Sequence, residues 1–273
     1  MNAYSPPSDD YADAEGLLIC GKCNTRKQKI ISLPAFEGLA VRGGIVGITC
    51  DCERAAIEAQ QLADERTEFL RQVGQLRRDG LADPTYSAAN FEADDRRNPT
   101  ASSICRKYVA NWEEMRKNGI GILFYGGVGT GKSFLACAIA NALLQKLVPT
   151  CVISFPRLLG QLEAFGADRL AFLDKLKRFQ LLVVDDLGAE RSTPFAAEQA
   201  FAVIDDRSRS GLPFIATTNL SMEDLQRPAS IELARIYDRI LALCPIAVKL
   251  SGESRRPSQA STRRETARKL LGL

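Results

Sequence analysis

No histidine occurs anywhere in the 273 residues. Imidazole is therefore excluded as a general base or a metal ligand, and any metal this chain binds must be held by sulfur or oxygen. Also missing is an apolar run approaching the ~18 residues that a membrane-spanning helix needs, so no membrane contact is expected. The stretch Met1–Gly16 is acidic and polar and has no apolar h-region. That pattern argues against a secretory signal and for a cytoplasmic setting. No internal repeat is visible.

What is present reads as a globular protein: 45% of residues are apolar and 25% charged, over a length that suits one large domain or two. The net charge of +3 is unevenly spread. Residues 1 to 18 carry four acids and no bases, whereas Lys249 to Leu273 carries seven bases and two acids. Such asymmetry points to an acidic partner or nucleic acid. Eight cysteines in an intracellular protein suggest metal ligands or free thiols rather than disulfides.

The chain is organised around Gly126-Gly127-Val128-Gly129-Thr130-Gly131-Lys132-Ser133, which fits the G-x-x-x-x-G-K-[ST] phosphate-loop pattern at every fixed position. Gly121–Tyr125 reads as a buried strand before it, and Phe134–Leu147 as a helix after it, ended by Pro149. In that context the glycines allow successive N–H groups to face a polyphosphate at a helix N-terminus. Lys132 then reaches the β- and γ-phosphates of ATP, and the Ser133 hydroxyl ligates magnesium.

Strand and helix alternate from there on. Further strands are expected at Cys151–Phe155, Leu181–Val184, Pro213–Thr218 and Ala247–Leu250, with helices between them. Five strands so connected make a parallel three-layer α/β sheet. Leu181–Val184 is wholly apolar, hence buried on both faces, and runs into Asp185-Asp186. Asp185 is placed to hold magnesium across from Ser133. Asp186 stands where a carboxylate can polarise attacking water, with Glu190 as a rival for that role and a turn-capping Asp186 as the plainer alternative. The next strand ends in Thr217-Thr218-Asn219. If it is inserted between the phosphate-loop strand and the Asp185 strand, Asn219 can orient water or sense the γ-phosphate; otherwise it merely starts a turn. Arg235 and Arg239 lie four apart on one helix, a repulsive spacing that something should exploit. An arginine finger offered to a neighbouring subunit is one use; an ion pair with Asp238 or Glu232 is the other.

Towards the N-terminus, Cys20-Gly21-Lys22-Cys23 and Cys50-Asp51-Cys52 form two close pairs, the layout of a four-cysteine zinc knuckle or ribbon. Gly21 suits the turn, and Ile30–Pro34 and Gly43–Ile48 suit two ribbon arms. An iron–sulfur cluster or four reduced structural cysteines are the alternatives. The expected organisation is a disordered acidic N-terminus at 1–18, a zinc module with its helix at 19–80, a linker at 81–103, the ATPase core at 104–250 and a basic tail at 251–273. Tyr108, Val109, Trp112 and Met115 share one side of a helix spanning Ile104–Lys117, which favours packing over base stacking for Trp112.

Taken together, the phosphate loop, Val183-Val184-Asp185-Asp186-Leu187-Gly188-Ala189-Glu190, Thr217-Thr218-Asn219 and the Arg235–Arg239 helix resemble the DnaC-type helicase loaders of the AAA+ ATPases. The IstB-type transposition helpers and the bacterial initiator ATPases are similar. The resemblance covers roughly residues 104–256. It implies a P-loop NTPase core, ATP hydrolysis, a homo-oligomer, binding to single-stranded DNA and delivery of a replicative ring helicase. By position it gives Asp185 and Asp186 the magnesium and water-activating roles, Asn219 the sensor role and Arg239 the finger role. A Cys-rich N-terminal domain in such proteins implies helicase docking. Only 23 residues follow Leu250, so no helical lid is expected, although Ser251–Arg256 resembles the end of a loader ATPase domain. Two alternatives remain open at this stage: a transposition helper ATPase that favours duplex DNA, and a zinc-dependent DNA-binding adaptor whose nucleotide is structural.

Overall fold

The computed structural model describes residues 9–31, 44–81, 83–165, 168–188 and 194–272. They fall into two compact units, Met1–Arg71 and Gln72–Leu273.

In the first unit, β1 (Tyr11–Ala12) pairs antiparallel with β2 (Leu18–Ile19), and β3 (Gln28–Ile31) pairs antiparallel with β4 (Gly44–Gly47). The ribbon arms expected around Ile30 and Ile45 are thus present, with these two residues directly opposite each other; residues 32–34 of the expected first arm lie outside the described residues. The acidic stretch expected to be disordered is a correction from residue 9 onward, because its carboxylates find local partners. Asp13 accepts from the N–H groups of Glu15 and Leu17, both at 2.9 Å. The nearly buried Asp10 pairs with Lys27 at 2.8 Å. Acidic composition alone missed this because the cations that satisfy it, Arg26 and Lys27, come later in the chain.

Helix α1 (Asp51–Gly80) is built from strong helix formers. It ends where the chain must pass close to another strand: a Cβ on Gly80 would lie 1.9 Å from the Thr150 carbonyl oxygen. Of its apolar residues, Val73 is buried, whereas Ile57, Leu62, Phe69 and Leu70 are exposed.

The second unit continues with a short 3-10 helix (Pro84–Ala88), then α2 (Pro99–Ala110), α3 (Trp112–Lys117), β5 (Ile122–Gly126), α4 (Lys132–Leu144) and β6 (Thr150–Ser154). After these come α5 (Phe155–Phe165), α6 (Arg169–Lys177), β7 (Leu181–Leu187), α7 (Pro194–Ser210), β8 (Phe214–Thr218), α8 (Met222–Gln226), α9 (Ile231–Leu243), β9 (Ile246–Leu250) and α10 (Arg256–Leu271). The five core strands are all parallel, in the order β6-β7-β8-β5-β9. Helices cover both faces, and two apolar clusters fill the two interlayer spaces. This is the three-layer P-loop architecture read from the strand–helix alternation. Strand β8 does lie between β5 and β7, the condition on which Asn219 depended. Helix α10 is the one helix after β9 among the described residues.

Residues 81–103 are not a free linker. Ala89, Phe91 and Ala101 are buried in the core cluster. The Asn141 side-chain amide, inside α4, donates to the Tyr86 and Ala89 carbonyls at 2.7 and 2.8 Å. Proline and Ser-rich composition signalled a connection, but a buried amide in the core needs acceptors, and this segment supplies them. The helix expected over 104–117 starts instead at Pro99 and breaks at Asn111. Trp112 is buried with its ring centroid 6.0 Å from that of Tyr108, as packing requires.

Candidate functional site

The four cysteines converge within the first unit. The Sγ atoms of Cys20, Cys23, Cys50 and Cys52 all lie within 4.8 Å of one another, with Cys50–Cys52 at 3.4 Å and Cys20–Cys52 at 3.6 Å. Zinc–sulfur bonds of about 2.3 Å in a tetrahedron place sulfurs about 3.8 Å apart, so the donor set fits zinc. The tight C-x-C pair is accommodated because Cys52 is already in the first turn of α1. The Thr25 hydroxyl, 3.0 Å from Cys23 Sγ, lowers that thiol to about 5, while crowding by Cys50, Cys20 and Cys23 pushes Cys52 up to about 12. Four thiolates cannot share this space without a cation among them. Gly21 is needed here for close approach rather than for turn conformation: a Cβ would sit 1.7 Å from the Asp9 carbonyl oxygen. The left-handed residue of the turn is Asn24, at φ 57°.

In the second unit, β5 delivers the chain into the phosphate loop and α4 begins at Lys132. Gly126, Gly129 and Gly131 take φ values of 129°, 76° and 102°, which side chains other than glycine rarely adopt. Lys132 Nζ donates to the Gly126 and Gly127 carbonyls at 2.9 and 2.7 Å and to Asn219 Oδ1 at 2.8 Å. Lys132 and Asn219, 87 apart in sequence, are therefore in direct contact. Burial lowers the Lys132 pKa, opposed by the charges of Asp186 and Asp185.

Strand β7 carries a bulge at the acidic pair. Val184 faces Ala216 and Leu187 faces Thr218, so Asp185 and Asp186 together oppose the single residue Thr217. The buried Thr217 hydroxyl donates to Asp185 Oδ1 at 2.6 Å and accepts from the Asp186 N–H at 3.0 Å. Asp186 is held at φ 56°, in the left-handed region. Burial and the neighbouring Asp185 raise its pKa, against the pull of Lys132 and Arg256. The Ser133 hydroxyl and the Asp185 carboxylate are hard oxygen donors of the kind magnesium takes.

Lys132, Ser133, Asp186 and Asn219 line one pocket of about 680 Å³. Five further residues line it that the motifs did not single out: Ala93, Asp95, Phe134, Arg255 and Arg256. The run Ser254-Arg255-Arg256 was a visible signal for the last two; nothing local marked Asp95. Glu190 lies outside the described residues. Arg239 does not line this pocket. Its Nη2 pairs with Asp205 at 2.7 Å, and its guanidinium stacks over the Phe201 ring at 5.0 Å, so its ionic partner is neither Asp238 nor Glu232. Arg235 is exposed.

Comparison with known proteins gives a matching family and several relatives. Residues 87–263 match the model of a family described as IstB-like ATP binding protein. The replicative helicase loader DnaC of Escherichia coli K12 is 27% identical over 227 residues, covering 81% of this chain and 89% of that protein. The replicative helicase loader DnaI of Bacillus subtilis is 27% identical over 183 residues. That match covers 62% of this chain, which spans only 58% of the DnaI length. Among solved structures, a DnaC helicase loader superposes with a TM-score of 0.54 at 24% identity, over 62% of this chain and all of that one; this likeness concerns the fold.

Proposed function

Because the chain belongs to the IstB-like ATP binding protein family, we propose that it binds and hydrolyses ATP and uses the nucleotide to deliver a replicative ring helicase onto single-stranded DNA. The observation that carries this reading is the meeting of Lys132, Ser133, Asp186 and Asn219 in one pocket, with β8 inserted between β5 and β7. Loop N–H groups and Lys132 bind the β- and γ-phosphates. Ser133 and Asp185 would hold magnesium, which supplies charge neutralisation at those phosphates. Asp186 orients the attacking water and accepts its proton as the new P–O bond forms and the bond to the ADP oxygen breaks. Its raised pKa makes it a better base than an ordinary carboxylate. Asn219 fixes the position of Lys132 and lies within reach of the γ-phosphate side. The cysteine cluster would hold zinc and present the first unit to the helicase. We further place the protein in the cytoplasm as a homo-oligomer whose Arg239 serves a neighbour's nucleotide.

A transposition helper ATPase of the IstB type is the second reading, favoured by the description of the matching family itself. Two measurements test these proposals. Asp186→Asn should bind ATP yet turn it over at least ~100-fold more slowly, as for loss of a general base; normal turnover removes Asp186 from catalysis. A ring helicase offered circular single-stranded DNA should engage it only with this protein and ATP present. Helicase engagement that ignores the protein defeats the loader reading, and stimulation of a transposase on duplex DNA selects the alternative.

A further inference from the structure

Two segments at opposite ends of the second unit meet on the phosphate loop. The Arg255 N–H donates to the Gly129 carbonyl at 2.9 Å, and its guanidinium Nη1 donates to the Thr130 carbonyl. The Asn98 side-chain amide reaches the same Thr130 oxygen at 3.5 Å. The other edge of the Arg255 guanidinium forks onto Asp95, with Nε to Oδ2 at 2.8 Å and Nη2 to Oδ1 at 2.9 Å. The approach is close enough to exclude side chains from the loop: a Cβ on Gly129 would lie 2.1 Å from Ser254 Oγ, and one on Gly131 would lie 2.2 Å from Arg255 Nη1.

Peptide geometry turns these contacts into a function. In a trans peptide the carbonyl of one residue and the N–H of the next point in opposite directions in one plane. Drawing the Gly129 and Thr130 oxygens towards Arg255 therefore aims the Thr130 and Gly131 N–H groups the opposite way, away from Arg255. Those are donors that a phosphate-binding loop must present. We propose that Arg255 is a positioning residue for phosphate binding: it pre-orients two consecutive loop amides and is itself locked by Asp95. This rests on the reading of the pocket as an ATP site. Arg255 differs from Lys132 in that its charge is already matched. The guanidinium holds the Asp95 carboxyl down at about 2, so the pair stays ionised at any ordinary pH. An arginine is required because a planar fork can grip a carboxylate with one edge and a carbonyl with another, which an ammonium cannot do.

The test compares binding of ATP, ADP and adenosine by the full chain and by variants. Arg255→Ala should weaken ATP and ADP roughly 10- to 100-fold while leaving adenosine binding and the thermal midpoint, within about 3 °C, unchanged; loss confined to phosphate-bearing ligands is what amide misorientation predicts. Arg255→Lys should fail to restore affinity. Asp95→Asn should cost about 3- to 10-fold by itself and nothing more when added to Arg255→Ala, since the two act as one unit. Should Arg255→Ala not fold, Arg255→Lys and Asp95→Asn carry the test on the same readout. Wild-type affinity for ADP in these variants, or an equal loss for adenosine, overturns the inference alone. A wild-type chain that binds neither ATP nor ADP defeats the nucleotide reading and the inference with it.

Discussion

Replacing Thr217 by valine probes the acidic bulge with almost no change of shape. The Thr217 side chain is fully buried and makes two bonds, donating to the Asp185 carboxylate at 2.6 Å and accepting from the Asp186 N–H at 3.0 Å. A hydrogen bond to a charged group contributes about 1.5–3 kcal/mol, and a buried donor left unpaired costs about 1–3 kcal/mol. The Asp186 peptide is only partly buried, so the lower part of that second range applies. Thr217→Val should therefore lose about 2–4 kcal/mol, or about 5–15 °C of thermal midpoint for a unit of this size. The catalytic effect has a separate cause. Asp186 sits at φ 56°, a conformation costing a non-glycine residue about 1–2 kcal/mol. The bond from its N–H to Thr217 is part of what holds it there. Released, the backbone relaxes and the carboxylate swings away from the pocket, so the turnover number should fall at least ~10-fold with little change in ATP affinity. Thr217→Ser keeps both bonds and should behave nearly as wild type. Thermal unfolding and steady-state phosphate release measure the two effects. Thr217→Val with unchanged midpoint and unchanged turnover would refute the assignment of Thr217 as the anchor of Asp185 and Asp186.

Two other outcomes are expected. Metal analysis of protein prepared without chelator should give about one zinc per chain, and Cys20→Ser or Cys50→Ser should release it with loss of structure in the first unit only, because metal binding and folding are linked in small modules; zinc-free protein with that unit intact ends the proposal. Arg239→Ala should bind ATP nearly normally but hydrolyse it poorly, and mixing it with Lys132→Ala protein should restore part of the rate, since each supplies what the other lacks. If the mixture co-assembles without recovery, the pairing of Arg239 with Asp205 and Phe201 is its whole role.

The sequence by itself determined those parts of the protein whose chemistry is contiguous. The phosphate loop, the acidic pair at the end of an apolar strand, Asn219 at the end of another and the two cysteine pairs are short patterns. Each one's residue types follow from a local demand: glycine for left-handed backbone, an apolar run for a strand buried on both faces, thiols in pairs for a soft cation. Alternating strand and helix also sufficed for a parallel three-layer sheet, because each such unit must cover its own apolar face. Only the tertiary structure decided what meets across the chain. Asp95 and Arg255 are 160 residues apart in sequence, and no periodicity links them. Thr217 became the anchor of the acidic pair only because β8 lies beside β7 with a bulge opposite it. Residues 81–103 look like a linker until the buried amide of Asn141 is seen to take its acceptors from them. Arg239 found Asp205 on α7 rather than an acid on its own helix. For Thr217 and Asn141 the deciding quantity is a buried polar group that must find a partner in space. Spatial proximity of that kind is set by how the layers pack, and a linear pattern does not carry it.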